Sequence, residues 1–338
     1  MITRRTALLS GASALIASPV LAQAPTSPAA LTQAPSALYP ERPIRLVVPF
    51  PPGGVNDAVA RPWAEAMKSR LGTVAVDNVG GGGSVIGTNL VARSRPDGYT
   101  LLLGGAAGLV VNPAANPNVT YDPVKDLEPV CLLALAGLAI CVHPSIPASN
   151  LQELIAHIRA NPGKLFYASS GVGTAVHLAG ELFKQLIGAP ELGHVPYRGA
   201  AQSTTDLLAG QVSMSFVNIT GQVLEFHRTG KLRVLATTNP RRMDSAPEVP
   251  TAVEAGLPGM VAQNFTGIFA PANTPRDIVN RISAATEQAL ADPEYRRLVL
   301  AAGLEPVADA RPESARKFLA DDIAKWTPLI KAIGLQTG

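Results

Sequence analysis

Two rhythms of apolar spacing alternate along the chain. The run "IRLVVPF" (44–50) is continuous and of strand length, whereas Val59, Trp63, Ala66, Met67 and Leu71 recur at the three-to-four spacing of one helix face. Asn56 and Asp57 stand where a helix cap belongs, and Pro62 predicts a kink or a later start. The same order returns: "TVAVDN" as strand, "VGGGGS" as loop, "VIGTNLVARS" as a short helix, then the turn "RPDGY" and the strand "TLLLGG". From Lys164 a second unit repeats the plan. "KLFYAS", "LGHVPY", "QVSMSFVN" and "KLRVLATT" read as strands. "AVHLAGELFKQLIG" and "STTDLLAG" read as helices behind the loops "SGVGT" and "RGAAQ". The segment from Thr274 reads as one long helix ending at Gly303, followed by a last helix interrupted or bent at Pro328.

Strands alternating with helices at these lengths imply an α/β fold of two units, each a mainly parallel sheet with right-handed crossovers. Ligands of such sheets sit beyond the carboxyl ends of the strands. That places loops 50–57, 77–84 and 104–108 on one rim and 169–174, 196–201 and 218–221 on the other, facing across a cleft. The stretches "AICVHPS" and "FTGIFAPANTP" are expected to cross between units and to serve as a hinge.

Composition narrows the function. With 47% hydrophobic and 16% charged residues the chain is globular, and 5% aromatics leave little for stacking on bases. The formal charge of +3 includes Arg4 and Arg5, so no basic stripe invites nucleic acid or a membrane surface. Residues 1–22 combine a positive start, an apolar middle and small residues ahead of a cut near Ala22 or Ala24, the pattern of a signal peptide. The Arg4-Arg5 pair is compatible with twin-arginine or general secretion. Residues 23–38 read as a Pro/Ala/Ser/Thr tether. Cys131 and Cys141 flank Gly137; were that glycine a hairpin tip, the sulfurs would face each other, and otherwise they are two buried thiols. The five His show no metal-ligand spacing, and the apolar run 127–142 is too short to span a bilayer.

The glycine loops carry the chemistry. Gly53-Gly54 and the run Gly80–Gly83 each precede a helix, where free N–H groups and the helix dipole attract an anion. The same glycines also serve tight turns alone. No Lys follows them as a nucleotide P-loop requires, and Val176 occupies the third glycine position of a dinucleotide fingerprint. Main-chain donors without cations suit a carboxylate. His177 follows "SGVGT" as a structural or ligand-orienting residue or a base; Tyr197, Arg198 and Asn218 border the same rim. "YASSG" lacks the first glycine of a nucleophile elbow.

The succession "YPERPIRLVVPFPPGGVND", "VDNVGGGGSVIG", "PDGYTLLLG", "YDPVKDLEPV", "PGKLFYASSGVGTAVHLAGELF", "HVPYRGAAQSTTDLLAGQV", "GKLRVLATT" and "VPTAVEAGLPG" resembles the Bug family, extracytoplasmic solute-binding proteins of tripartite tricarboxylate transporters. The resemblance implies a two-lobed periplasmic binding protein of type II, the Venus flytrap. Lobe 1 is expected over 39–142 and 268–338 and lobe 2 over 143–267. It implies a small organic acid or amino acid as ligand, a membrane permease or sensor as partner, a monomer, and neither cofactor nor metal. Members hold a carboxylate between the first two loops, partly through water, while the second lobe selects. Carried over, Phe50, Gly54 and Asp57 belong to the first loop, with Gly53 beside them; Asn78, Gly82 and Gly83 belong to the second; Ser169, Gly171, Thr174, His177, Tyr197 and Asn218 face them. Val79-Gly80 replaces the usual Arg-Pro, Gln202 a proline, Ser213 an acid and Val217 an Asp, departures that bear on the ligand more than on the fold. The competing expectation is an exported hydrolase or transferase using His177 with an amide-lined oxyanion site.

Overall fold

A computed structural model describes residues 39–337 except Gly54 and Ser245; the expected signal peptide and tether lie outside the described residues. Strand β1 (Ile44–Val48), helix α1 (Val55–Met67), β2 (Val74–Asn78), α2 (Val85–Ala92) and β3 (Thr100–Gly105) form the first unit. A π-helical turn (Ala107–Val111) and α3 (Asn112–Ala115) lead to β4 (Leu127–Val142). Then follow α4 (Leu151–Ala160), β5 (Phe166–Ser169), α5 (Ala175–Ile187), β6 (Gly193–Pro196), α6 (Ala200–Leu208), β7 (Met214–Asn218), α7 (Gly221–Arg228) and β8 (Arg233–Thr237). The chain returns through β9 (Gln263–Pro271) and ends with α8 (Arg276–Leu290), α9 (Pro293–Ala301), β10 (Glu305–Pro306) and α10 (Pro312–Ala332).

The apolar run 127–142 is one 16-residue strand rather than a hairpin. Its first part pairs antiparallel with β9 as far as Gly137, opposite Gln263, and from Leu138, opposite Asn218, it pairs with β7 and β8 instead. One strand therefore belongs to both sheets. Beside it, Thr238 ties the return crossing: its N–H donates to Leu138 O at 2.8 Å, and Ala262 N–H donates to Thr238 O at 2.9 Å. The change of partner falls at 137/138 on the outward passage and just before Gln263 on the return. Gly137 sits at this crossing for lack of room; a Cβ there would collide with Asn239 Oδ1 and Met243 Sδ.

In the first sheet β2-β1-β3 are parallel, with Val47 level with Asp77 and Leu46 with Leu101, and β9 and β4 add antiparallel. In the second, β6-β5-β7 are parallel against antiparallel β4. Helix α1 accommodates Pro62 internally. Its apolar face buries Val59, Trp63 and Met67 against β1 and α8, and Trp63 Nε1 donates to Thr286 Oγ1 at 3.1 Å. The long helix expected after Thr274 breaks in two, since Asp292 caps α9 by accepting from Glu294 N–H. Helix α10 runs through Pro328 without interruption and packs on β4, α3 and α5, supporting both lobes.

The second lobe carries an aromatic stack between α5, β6 and β5. His177 of α5 lies on His194 of β6 (centroids 4.2 Å apart), and His194 lies on Tyr167 of β5 (4.7 Å). Tyr167 OH donates to Glu181 Oε1 at 2.7 Å. Burial and the neighbouring His177 push His194 down to about 4, and burial lowers His177 against the opposing pull of Glu181. Both rings are therefore neutral at pH 7.

The two thiols are buried and unpaired. Ten positions apart on one strand, they stand about 33 Å from each other at roughly 3.3 Å per residue, far beyond disulfide reach. Thiol titration without reductant is expected to find no reactive Cys131 or Cys141 in the folded protein and both after unfolding. Gly137→Ala is expected to cost about 1–3 kcal/mol in urea unfolding through overpacking. Because the folded-state histidine values lie below the ordinary value of about 6.5, stability is full above that pH and declines as pH falls toward about 4. Urea midpoints from pH 7.5 to 5 are expected to fall, with a shallower slope in His194→Gln.

Candidate functional site

Three loops of the first lobe converge because each follows a parallel strand. After β1, Pro51 and Pro52 stiffen the chain and Gly53 turns it at φ 86°. Asp57, buried in the first turn of α1, then knots the loop. Its Oδ2 accepts from Gly53 N–H (2.9 Å) and from Arg61 Nε (3.1 Å) and Nη2 (3.0 Å), while Oδ1 accepts from Asn78 Nδ2 (2.9 Å). Asn78 Nδ2 also donates to Phe50 O at 3.1 Å, so the clasp joins the loops after β1 and β2. Burial pushes this carboxyl up, but the hydrogen bonds from Asn78, Gly53 and Arg61 outweigh it and hold Asp57 below the usual carboxylate range. It is ionised and fully engaged.

After β2, Gly81, Gly82 and Gly83 take φ of 128°, 57° and 61°, backbone that a side chain would strain, and Asn112 Nδ2 donates to Gly83 O at 2.7 Å. After β3, the chain passes from Gly105 directly into helical geometry at Ala106 (φ −54°, ψ −38°). Opposite, Thr174 caps α5: its Oγ1 accepts from His177 N–H at 3.3 Å and donates to Gly171 O at 2.7 Å. The starts of α1, of the π turn and of α5 thus meet at one space.

That space is a cavity of about 340 Å³. Phe50, Asn56, Gly83, Gly105, Ala106, Ala107, Val111 and Asn112 line it from the first lobe, and Ser170, Val172, Gly173, Thr174, Ala175, Val176 and Asn218 from the second. Asn264 and Phe265 of β9 and Thr337 complete it. None of these residues is charged. Polarity comes from the helix first turns, whose N–H groups carry a partial positive charge aligned with the dipole, and from asparagine, serine and threonine side chains.

Of the residues nominated from sequence, Phe50, Gly83, Thr174 and Asn218 line the cavity. Gly53, Gly82 and Gly171 shape its loops, and Gly54 lies outside the described residues. Asp57 and Asn78 do not line it; they form the clasp behind it. Tyr197 spends its hydroxyl on Asp206 Oδ2 (2.8 Å), and burial together with that carboxylate pushes it up to about 12. Ser169 Oγ lies 2.7 Å from His194 Nε2, and His177 Nδ1 accepts from Gly173 N–H at 3.1 Å. None of Ser169, His177 or His194 lines the cavity, and nothing in this geometry supports the hydrolase expectation.

Sequence reading missed Arg61, although its i+4 spacing from Asp57 was a usable signal. It placed Ala106 only within the rim loop 104–108 and missed Asn112 at the start of α3, as well as Asn264 and Thr337, which reach the cavity through the return strand and the segment after α10. Among the described residues there is no cluster of three or more potential metal ligands, and no helix is long and apolar enough to cross a membrane.

Residues 59–335 match the family described as tripartite tricarboxylate transporter family receptor. Protein BugT of Bordetella pertussis is 37% identical over 298 residues, covering 88% of this chain and 90% of BugT. The structure of the periplasmic binding protein BugD is similar at 35% identity and a TM-score of 0.71, covering 88% of this chain and 99% of BugD. The R. palustris protein Rpa4515, solved with adipate, is similar at 31% identity and a TM-score of 0.74, over 88% of this chain and 99% of Rpa4515. With a two-lobed fold, a cleft between the lobes and these matches over most of its length, the chain belongs to the tripartite tricarboxylate transporter family receptors, the group that includes the Bug proteins.

Proposed function

We propose that this protein is an exported receptor that captures a small organic acid in the cleft and presents it to a membrane permease, acting as a monomer without cofactor. The observation that carries the reading is the uncharged cavity where three helical starts meet. A carboxylate there is held by charge-assisted hydrogen bonds from main-chain N–H groups, roughly 1.5–3 kcal/mol each. The adipate bound by Rpa4515 supports the same ligand chemistry here.

The clasp gives Asp57 a positioning role. An ionised Asp57 facing a ligand carboxylate would repel it; turned inward onto Gly53, Arg61 and Asn78, it fixes the loops whose amides do the holding. Because the lining residues span both lobes, bound acid contacts both and favours the closed arrangement over the open one.

Thermal shift against short carboxylates tests the reading: at 100 times its dissociation constant a ligand adds about 2.7 kcal/mol of stability. Absence of a shift with every acid tried defeats it. Ala106→Pro deletes one main-chain donor at a φ that proline already prefers. Its expected outcome is an affinity loss of about tenfold or more by calorimetry with the apo melting temperature retained. Asp57→Ala is expected to weaken binding similarly and also to lower apo stability by about 1–3 kcal/mol, since it strands the donors of Gly53 and Asn78.

A further inference from the structure

The segment after α10 reaches the cavity along a fixed path. Helix α10 stops in a Schellman turn: Leu335 N–H donates to Ile330 O and Gly334 N–H to Lys331 O, each at 3.1 Å, with Gly334 at φ 63°. Leu335 packs, partly buried, on the core that includes Trp326 and Leu329 of α10. Beyond it, Thr337 N–H donates to Ala115 O, at the end of α3, at 3.2 Å. A helix stop, a packed leucine and a main-chain hydrogen bond thus set Thr337 in the cavity wall.

Its hydroxyl begins a relay. Thr337 Oγ1 donates to Asn112 Oδ1 at 2.8 Å, and Asn112 Nδ2 donates to Gly83 O at 2.7 Å. Both partners fit one orientation of the buried Asn112 amide, since a flip would set Oδ1 against the Gly83 carbonyl with two acceptors face to face. Gly83 needs this support: it stands at φ 61° in a run of three left-handed glycines and has no side chain to anchor it. A planar peptide moves as one piece, so holding Gly83 O also fixes the Ser84 N–H ahead of α2. The methyl of Thr337 lies against the second lobe, where a Cβ on Gly173 would collide with it. Thr337, Asn112, Gly83 and Gly173 all line the cavity.

We infer that Thr337 is a positioning residue of the ligand site: through Asn112 it holds the glycine loop in the shape that receives the acid, and its hydroxyl rather than its methyl does so. This rests on the carboxylate reading of the cavity and extends the site to the segment after α10.

Calorimetry with acetate, succinate, malate and adipate tests it. Thr337→Val keeps the shape against Gly173 and removes the donor; it is expected to weaken the acid that binds the unaltered protein by at least about fivefold. Thr337→Ser keeps the donor and removes the methyl, and is expected to bind within about twofold of the unaltered protein. Asn112→Ala is expected to weaken binding about tenfold, and adding Thr337→Val to it to cost no more than about twofold further, because the relay is already cut. A smaller loss in Thr337→Val, a Thr337→Ser variant as weak as Thr337→Val, or an undiminished Thr337→Val effect on top of Asn112→Ala each overturns the inference and leaves the receptor reading standing. Failure of all four acids to bind the unaltered protein overturns both.

Discussion

The structure depends on one strand serving two sheets. At Gly137–Leu138 β4 exchanges β9 and β10 for β7 and β8 without a break, and the return crossing is bonded to it through Thr238. Parallel strands on either side of this seam then carry their carboxyl ends, and the loops that follow, toward a common gap. A side chain at Gly137 would push Asn239 and Met243 out of the seam, so the smallest residue in the sheet stands where the two lobes meet. Two adjacent backbone passages join the lobes, and α10 packs on both.

An anion site without cations needs rigid donors. An arginine can follow a ligand, but an N–H group is only as well placed as its backbone. The loops here are held accordingly: prolines stiffen one, Asp57 knots two together, Asn112 holds Gly83, and Thr174 fixes the start of α5. Val79 and Gly80 add no charge to this rim, beside the glycine turn and the clasp.

Burial explains the fates of the residues that sequence reading marked for chemistry. His177 follows a glycine loop at a helix start, which resembles a catalytic position, yet its ring stacks on His194, itself stacked on Tyr167, and its Nδ1 is taken by Gly173. Tyr197 points its hydroxyl at Asp206. Asp57 turns its carboxylate onto Gly53, Arg61 and Asn78 and so ties the loops after β1 and β2 together.

Local pattern alone determined the alternation of strands and helices, the two α/β units, the rim on which each loop lies and the glycine-rich helix starts. These follow from side-chain period and from backbone freedom, which are properties of short segments. It did not determine that 127–142 is a single shared strand, that Asp57 turns inward, or that Asn264 and Thr337 join Phe50 and Asn218 around one cavity. Those outcomes depend on which distant segments compete for the same hydrogen bonds and the same volume, and only the assembled tertiary structure settles that competition.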